Sequence, residues 1–157
     1  MESSIQLIQP VVALVAWSMI MWLWIGVTRL PAIAAAKMKM DPEAPAGVQM
    51  SQLPARVRWK ADNYNHLMEQ PTVFYAIVLS LALLGAVTQT TVYAAWVYVV
   101  LRVLHSLVQA LVNKIELRFI IYFLSNIPLL VLIYIACLLY TSPSPRDQRG
   151  SRMPSSA

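Results

Sequence analysis

Residues 54–71, PARVRWKADNYNHLMEQP, run directly into the apolar stretch TVFYAIVLSLALLGA at 72–86, and the reading of this junction decides the fold. At about 100° per residue, Arg58, Asp62, Asn65 and Glu69 fall at i, i+4, i+7 and i+11, so they share one narrow helical face. Val57, Ala61, Tyr64, Leu67 and Met68 take the opposite or adjacent side, the pattern of a helix packed on other helices with one face toward a wet cavity. A helix from Pro54 to Ala86 is about 50 Å long against a hydrocarbon core of about 30 Å, so its polar start is expected to project from the membrane. Glu69 then stands at the mouth of the span. Ionisable groups at such depth face a bundle interior and mark a ligand or ion pathway.

Outward from this junction the chain is too apolar for an ordinary soluble domain. Of its 157 residues 59% are hydrophobic and 12% charged, and the mean hydropathy is +0.60. The apolar runs predict four spans, roughly 5–28, 54–86, 91–112 and 119–140, an all-α integral membrane four-helix bundle with an extended second helix. The N-terminus has Glu2 and no basic residue before the first run, which reads as a retained first span. Arg29, Lys37, Lys39, Arg56, Arg58 and Lys60 lie between spans one and two, and Lys114 and Arg118 between three and four. Both loops are therefore expected to be cytoplasmic, with the two termini on the other side.

The net charge of +5 is gathered in these loops, so topology and anionic headgroups explain it, and no basic run interleaved with aromatics points to nucleic acid. A single cysteine, Cys137, gives neither a disulfide framework nor a metal-ligand cluster, and no metal site is expected. The loop PAIAAAKMKMDPEAPAGVQMSQLP at 31–54 reads as a connecting cap over the cytoplasmic face. At Thr141 the composition changes to TSPSPRDQRGSRMPSSA, without apolar period. This tail at 141–157 is expected to be disordered. From near Cys137 it resembles linker read-through, so it is expected to be foreign to the natural protein, leaving 1–140 as the membrane domain.

The third span repeats the spacing of the second. Arg102, Ser106, Gln109 and Asn113 again fall at i, i+4, i+7 and i+11, with His105 beside them, and the fourth span opens with Arg118, Tyr122 and Ser125 at i, i+4 and i+7. Polar residues that several helices carry toward one membrane face are expected to converge on one cavity. Taken singly, the same residues have plainer readings. Arg102 reads equally as a snorkelling or Glu69-paired side chain, His105 as a packing residue, and Arg118 as a positive-inside charge. Trp17, Trp22, Trp24, Trp59 and Trp96 read as interface or packing aromatics.

Together these elements resemble the MAPEG superfamily, the membrane-associated proteins of eicosanoid and glutathione metabolism. The resemblance covers residues 1 to about 136 and is carried by the four spans, the polar segment ending in Glu69 and Pro71 before an FYA-type run, RVLH at 102–105, and the Arg118–Tyr122 pair. It implies a four-helix protomer, a homotrimer, and glutathione as cosubstrate bound between subunits near the cytoplasmic face. Arg29, Arg102, His105, Arg118 and Tyr122 fall on positions that the family's glutathione enzymes use, and Glu69 matches the family's glutamate. The chain also departs from the pattern. The family's usual Asn three residues before that Glu lands on His66, with Asn63 and Asn65 nearby; a helix-three tyrosine becomes Gln109, and the serine after the arginine becomes Phe119. These departures point to a bacterial-type branch, and so to a bacterial inner membrane.

On this resemblance, Arg29, Arg58 and Arg102 are expected to pair with the carboxylates of glutathione, using bidentate guanidinium geometry. Glu69 would accept from its ammonium group, with Asn65, His105 and Gln109 completing the substrate-binding set. Arg118 is the expected thiolate holder, because a nearby positive charge lowers a thiol pKa from about 8.5. Tyr122, one turn on, would donate to the sulfur or the acceptor. The expected activity is a glutathione-dependent transferase or peroxidase, its lipophilic electrophile arriving laterally from membrane lipid. A non-catalytic lipid-binding scaffold on the same fold is the alternative.

Overall fold

The computed structural model describes residues 2–45 and 47–141. These residues form five α-helices, α1 (Glu2–Ala35), α2 (Ala55–Glu69), α3 (Pro71–Leu83), α4 (Gln89–Leu111) and α5 (Ile115–Thr141), with a 3-10 turn at Met50–Gln52 and no strand. Four stretches are long and apolar enough to cross a membrane: Ser4–Ala35, Ala55–Leu83, Gln89–Leu111 and Ile115–Leu139. The architecture is the expected all-α four-helix bundle. Of the tail expected to be disordered at 141–157, Thr141 instead closes α5, its Oγ1 donating to the Cys137 carbonyl, and 142–157 lies outside the described residues.

Several boundaries differ from the sequence reading, each for a local reason. α1 continues seven residues past Thr28 to Ala35, carrying Pro31 inside it, so Arg29 stands on the helix and not in a loop. The second span is two helices because Pro71 has no amide hydrogen for the ladder. Gln70 between them keeps helical angles, φ −73° and ψ −37°, and Thr72 Oγ1 donates to the Glu69 carbonyl at 2.6 Å. The chain therefore runs on as one rod of 29 residues from Ala55 to Leu83. α4 opens on a reciprocal cap, Thr88 with Thr91. It ends at Leu111, and Asn113 takes the left-handed region at φ 53°, so the expected fourth member of the α4 stripe has left the helix. α5 begins at Ile115, four residues before the expected start, which places Arg118 in its first turn.

The bundle core has an apolar end and a polar end. Leu7, Leu14 and Met21 recur every seven residues on the buried side of α1 and belong to one core with Phe74, Val78 and Leu81 of α3 and Leu132 of α5, all with no exposed surface. Phe74 stacks on Tyr98 of α4, centroids 4.3 Å apart and planes 13° apart. In lipid, helices gain little from apolar burial itself, so close packing and interhelical hydrogen bonds hold them. The bond that joins three helices is at Ser106, whose Oγ accepts from Trp17 Nε1 at 3.0 Å and Asn63 Nδ2 at 2.6 Å. Nearer the polar end, Lys60 is buried, its ammonium 5.3 Å from the Trp24 ring centroid and donating to the Arg56 carbonyl. α1 is thereby docked on α2 by a residue that the sequence reading left among loop charges. α4 and α5 form the most extensive helix pair.

Candidate functional site

The site is built on α4, whose buried side carries Tyr98, Arg102, His105, Ser106 and Gln109. Arg102 is 1% exposed. Its guanidinium lies between two phenol rings, 5.1 Å from the Tyr98 centroid and 5.0 Å from that of Tyr122. Nε and Nη2 are buried without a hydrogen-bond partner. No carboxylate neutralises it, since the ion pair found among the described residues joins His66 to Glu69. A buried cation with donors left over is costly unless an anion or water completes it.

α2 and α5 close around this centre. The His66 ring lies 5.0 Å from that of His105 and 5.3 Å from that of Tyr122. His66, His105, Arg118 and Tyr122, with Ile115 and Phe119, line a cavity of about 190 Å³. Arg118 is held at its rim by Asn113, whose Oδ1 accepts from Nη1, while Nε has no partner. The left-handed backbone at Asn113 thus does two things: it ends α4, and it aims an amide oxygen at the first turn of α5.

The expected set does not meet in a single cavity within one protomer. Arg29, Arg58, Asp62 and Asn65, with Gly47, Met50 and Ser51 of the loop, line a second cavity of about 330 Å³. Arg29 Nε and Arg58 Nε are buried there without partners. Gln109 is 3% exposed and its Oε1 is unpartnered. Glu69 does not pair with Arg102; its side chain is 75% exposed and its Oε2 is 3.7 Å from His66 Nδ1. The reason is angular. While Asp62, Asn65 and Glu69 are exposed, the face of α2 toward α4 holds Asn63 and His66, and Gln70, just past its end, continues that face toward α5. That second polar stripe, at i, i+3 and i+7, was present in the sequence and was not singled out. Gln70 donates to Asn126 Oδ1 of α5, which ties the α2–α3 junction to the same side.

The MAPEG family model matches residues 7–138. The chain belongs to the MAPEG family. It is therefore an integral membrane protein of the eicosanoid and glutathione metabolism type, and its four spans are those of a MAPEG bundle. No curated protein and no solved structure gives a significant match to this MAPEG chain. Within it, the arginine and tyrosine of α5 and the arginine and histidine of α4 are the residues brought side by side.

Proposed function

We propose that the protein is a glutathione-dependent transferase or peroxidase acting on a lipophilic electrophile, with Arg118 stabilising the thiolate and Tyr122 donating to sulfur or acceptor. The observation that carries this reading is the buried, acid-free Arg102 packed against Tyr122, beside a cavity rimmed by Arg118. A site with this much unpaired positive charge suits a polyanionic ligand bearing a thiol. The smaller cavity falls below the 300–1,000 Å³ or so that usually takes a whole small molecule, so it suits the reacting end alone. The second cavity, with Arg29 and Arg58, suits a carboxylate-bearing remainder.

The exposed Asp62, Asn65 and Glu69 on a membrane helix support a homotrimer in which a neighbouring copy covers them. The charge distribution supports cytoplasmic loops and both termini on the other side, and the departures from the family pattern favour a bacterial inner membrane, although an endoplasmic reticulum membrane would meet the same physics. Arg118→Ala is expected to abolish conjugation of a generic electrophile by the purified protein while glutathione still raises the melting temperature. Undiminished turnover would refute the assignment. Saturable fatty-acid binding without heat from glutathione, by titration calorimetry, would favour the lipid-binding scaffold.

A further inference from the structure

A thiol that becomes a thiolate must pass its proton to something, and the residues around the smaller cavity differ sharply in whether they can take it. Resting on the glutathione reading above, we propose that His66 is the proton acceptor of this site, paired with Glu69, and that it returns the proton to the product. The guanidinium groups of Arg102 and Arg118 carry donors only and can accept nothing. The phenol of Tyr122 presents a hydroxyl donor and is no base for a thiol. His105 is an imidazole, but it is 3% exposed and faces Arg102 and Arg118 with no carboxylate near it, so an imidazolium there has no counter-charge. His66 alone joins the two requirements. It lines the cavity with Arg118 and Tyr122, and its Nδ1 stands 3.7 Å from Glu69 Oε2.

The groups that face His66 are Glu69 from its own helix, Arg102 and His105 from α4, and Arg118 and Tyr122 from α5. With Nδ1 turned to the carboxylate, the ring's other nitrogen, Nε2, is the one to meet a thiol. Its side chain is 27% exposed, so the site is neither sealed from water nor fully open to it. In the step, the S–H bond breaks, the proton goes to Nε2, and the electron pair remains on sulfur beside Arg118. The sulfur then attacks the β-carbon of an α,β-unsaturated carbonyl, the π-pair moves to give an enolate, and the enolate carbon takes the proton back from the imidazolium. His66 ends neutral, and no other reactant is needed.

The test uses the purified full-length protein with glutathione and a lipophilic enone, reading the ultraviolet thiolate band, the melting temperature and the pH profile of conjugation. In His66→Gln, glutathione should still raise the melting temperature, while the neutral-pH rate falls about a hundredfold and recovers as pH rises and solvent base replaces the imidazole. Glu69→Gln should lose less, in the same direction. His66→Asn, which fills the position differently, should behave like His66→Gln and guards against a folding defect in either. A thiolate band and pH profile unchanged in both His66 variants would overturn this proposal and leave the glutathione reading standing. Wild-type protein with neither thermal shift nor thiolate band would overturn both.

Discussion

α2 and α4 carry polar residues at the same spacing, and the bundle treats them in opposite ways. On α4, Arg102, Ser106 and Gln109 are all buried; on α2, Asp62, Asn65 and Glu69 are all exposed. Each helix obeys its periodicity, so spacing defined a face correctly in both. It did not say toward what the face points. On α4 the stripe carries the small Ser106, which lets Trp17 of α1 and Asn63 of α2 approach and bond to one oxygen. α2 instead turns its Lys60, Ala61, Asn63 and Leu67 side inward, which leaves Asp62, Asn65 and Glu69 on the outer surface.

Three substitutions break or sharpen this contrast. The largest effect is expected at the α4 stripe itself. Arg102→Met exchanges a buried unpaired charge for an apolar chain of similar length, and should leave the unliganded protein equally stable or more stable by about 1–4 kcal/mol. The glutathione-induced thermal shift should disappear in the same variant. A collapse of the apo protein would show instead that Arg102 is a structural group. Next, Ser106→Ala strands Trp17 Nε1 and Asn63 Nδ2 at the junction of three helices, and should lower stability by about 1–2 kcal/mol in denaturant titration in detergent. The smallest effect belongs to the α2 stripe. Asp62→Ala should move the stability of the single chain by less than about 0.5 kcal/mol, while native mass spectrometry should read a weakening of the proposed trimer. A stability loss equal to that of Ser106→Ala would mean that the two stripes are alike after all.

The polar and apolar ends of the bundle were unequally legible. The apolar end is legible as runs long enough to span, but α1 and the run at 72–83 are apolar on every side, so the runs do not say that Leu7, Leu14 and Met21 face inward. At the polar end, Arg102, His105, Arg118 and Tyr122 were identifiable by type and position. Asn63, His66 and Asn113 were not weighed as site residues, although each is placed against one of them or against Ser106. Spacing puts Asn113 on the α4 stripe although the span is expected to end at 112, and an Asn just past the last apolar residue is itself a left-handed stop signal, which the backbone there follows. Lys60 stands among the charges between spans one and two, and only a neighbouring helix with Trp24 makes its burial tolerable.

By itself the sequence determined the number of spans, their approximate ends and the sets of residues that share a helical face, because these depend on local hydropathy and a fixed turn per residue. Tertiary structure alone decided how each helix is rotated about its axis. That rotation put His66 against His105 and Tyr122 and left Glu69 outside. It is set by which side chains let neighbouring helices come close, a sum over contacts from several segments that no single segment contains.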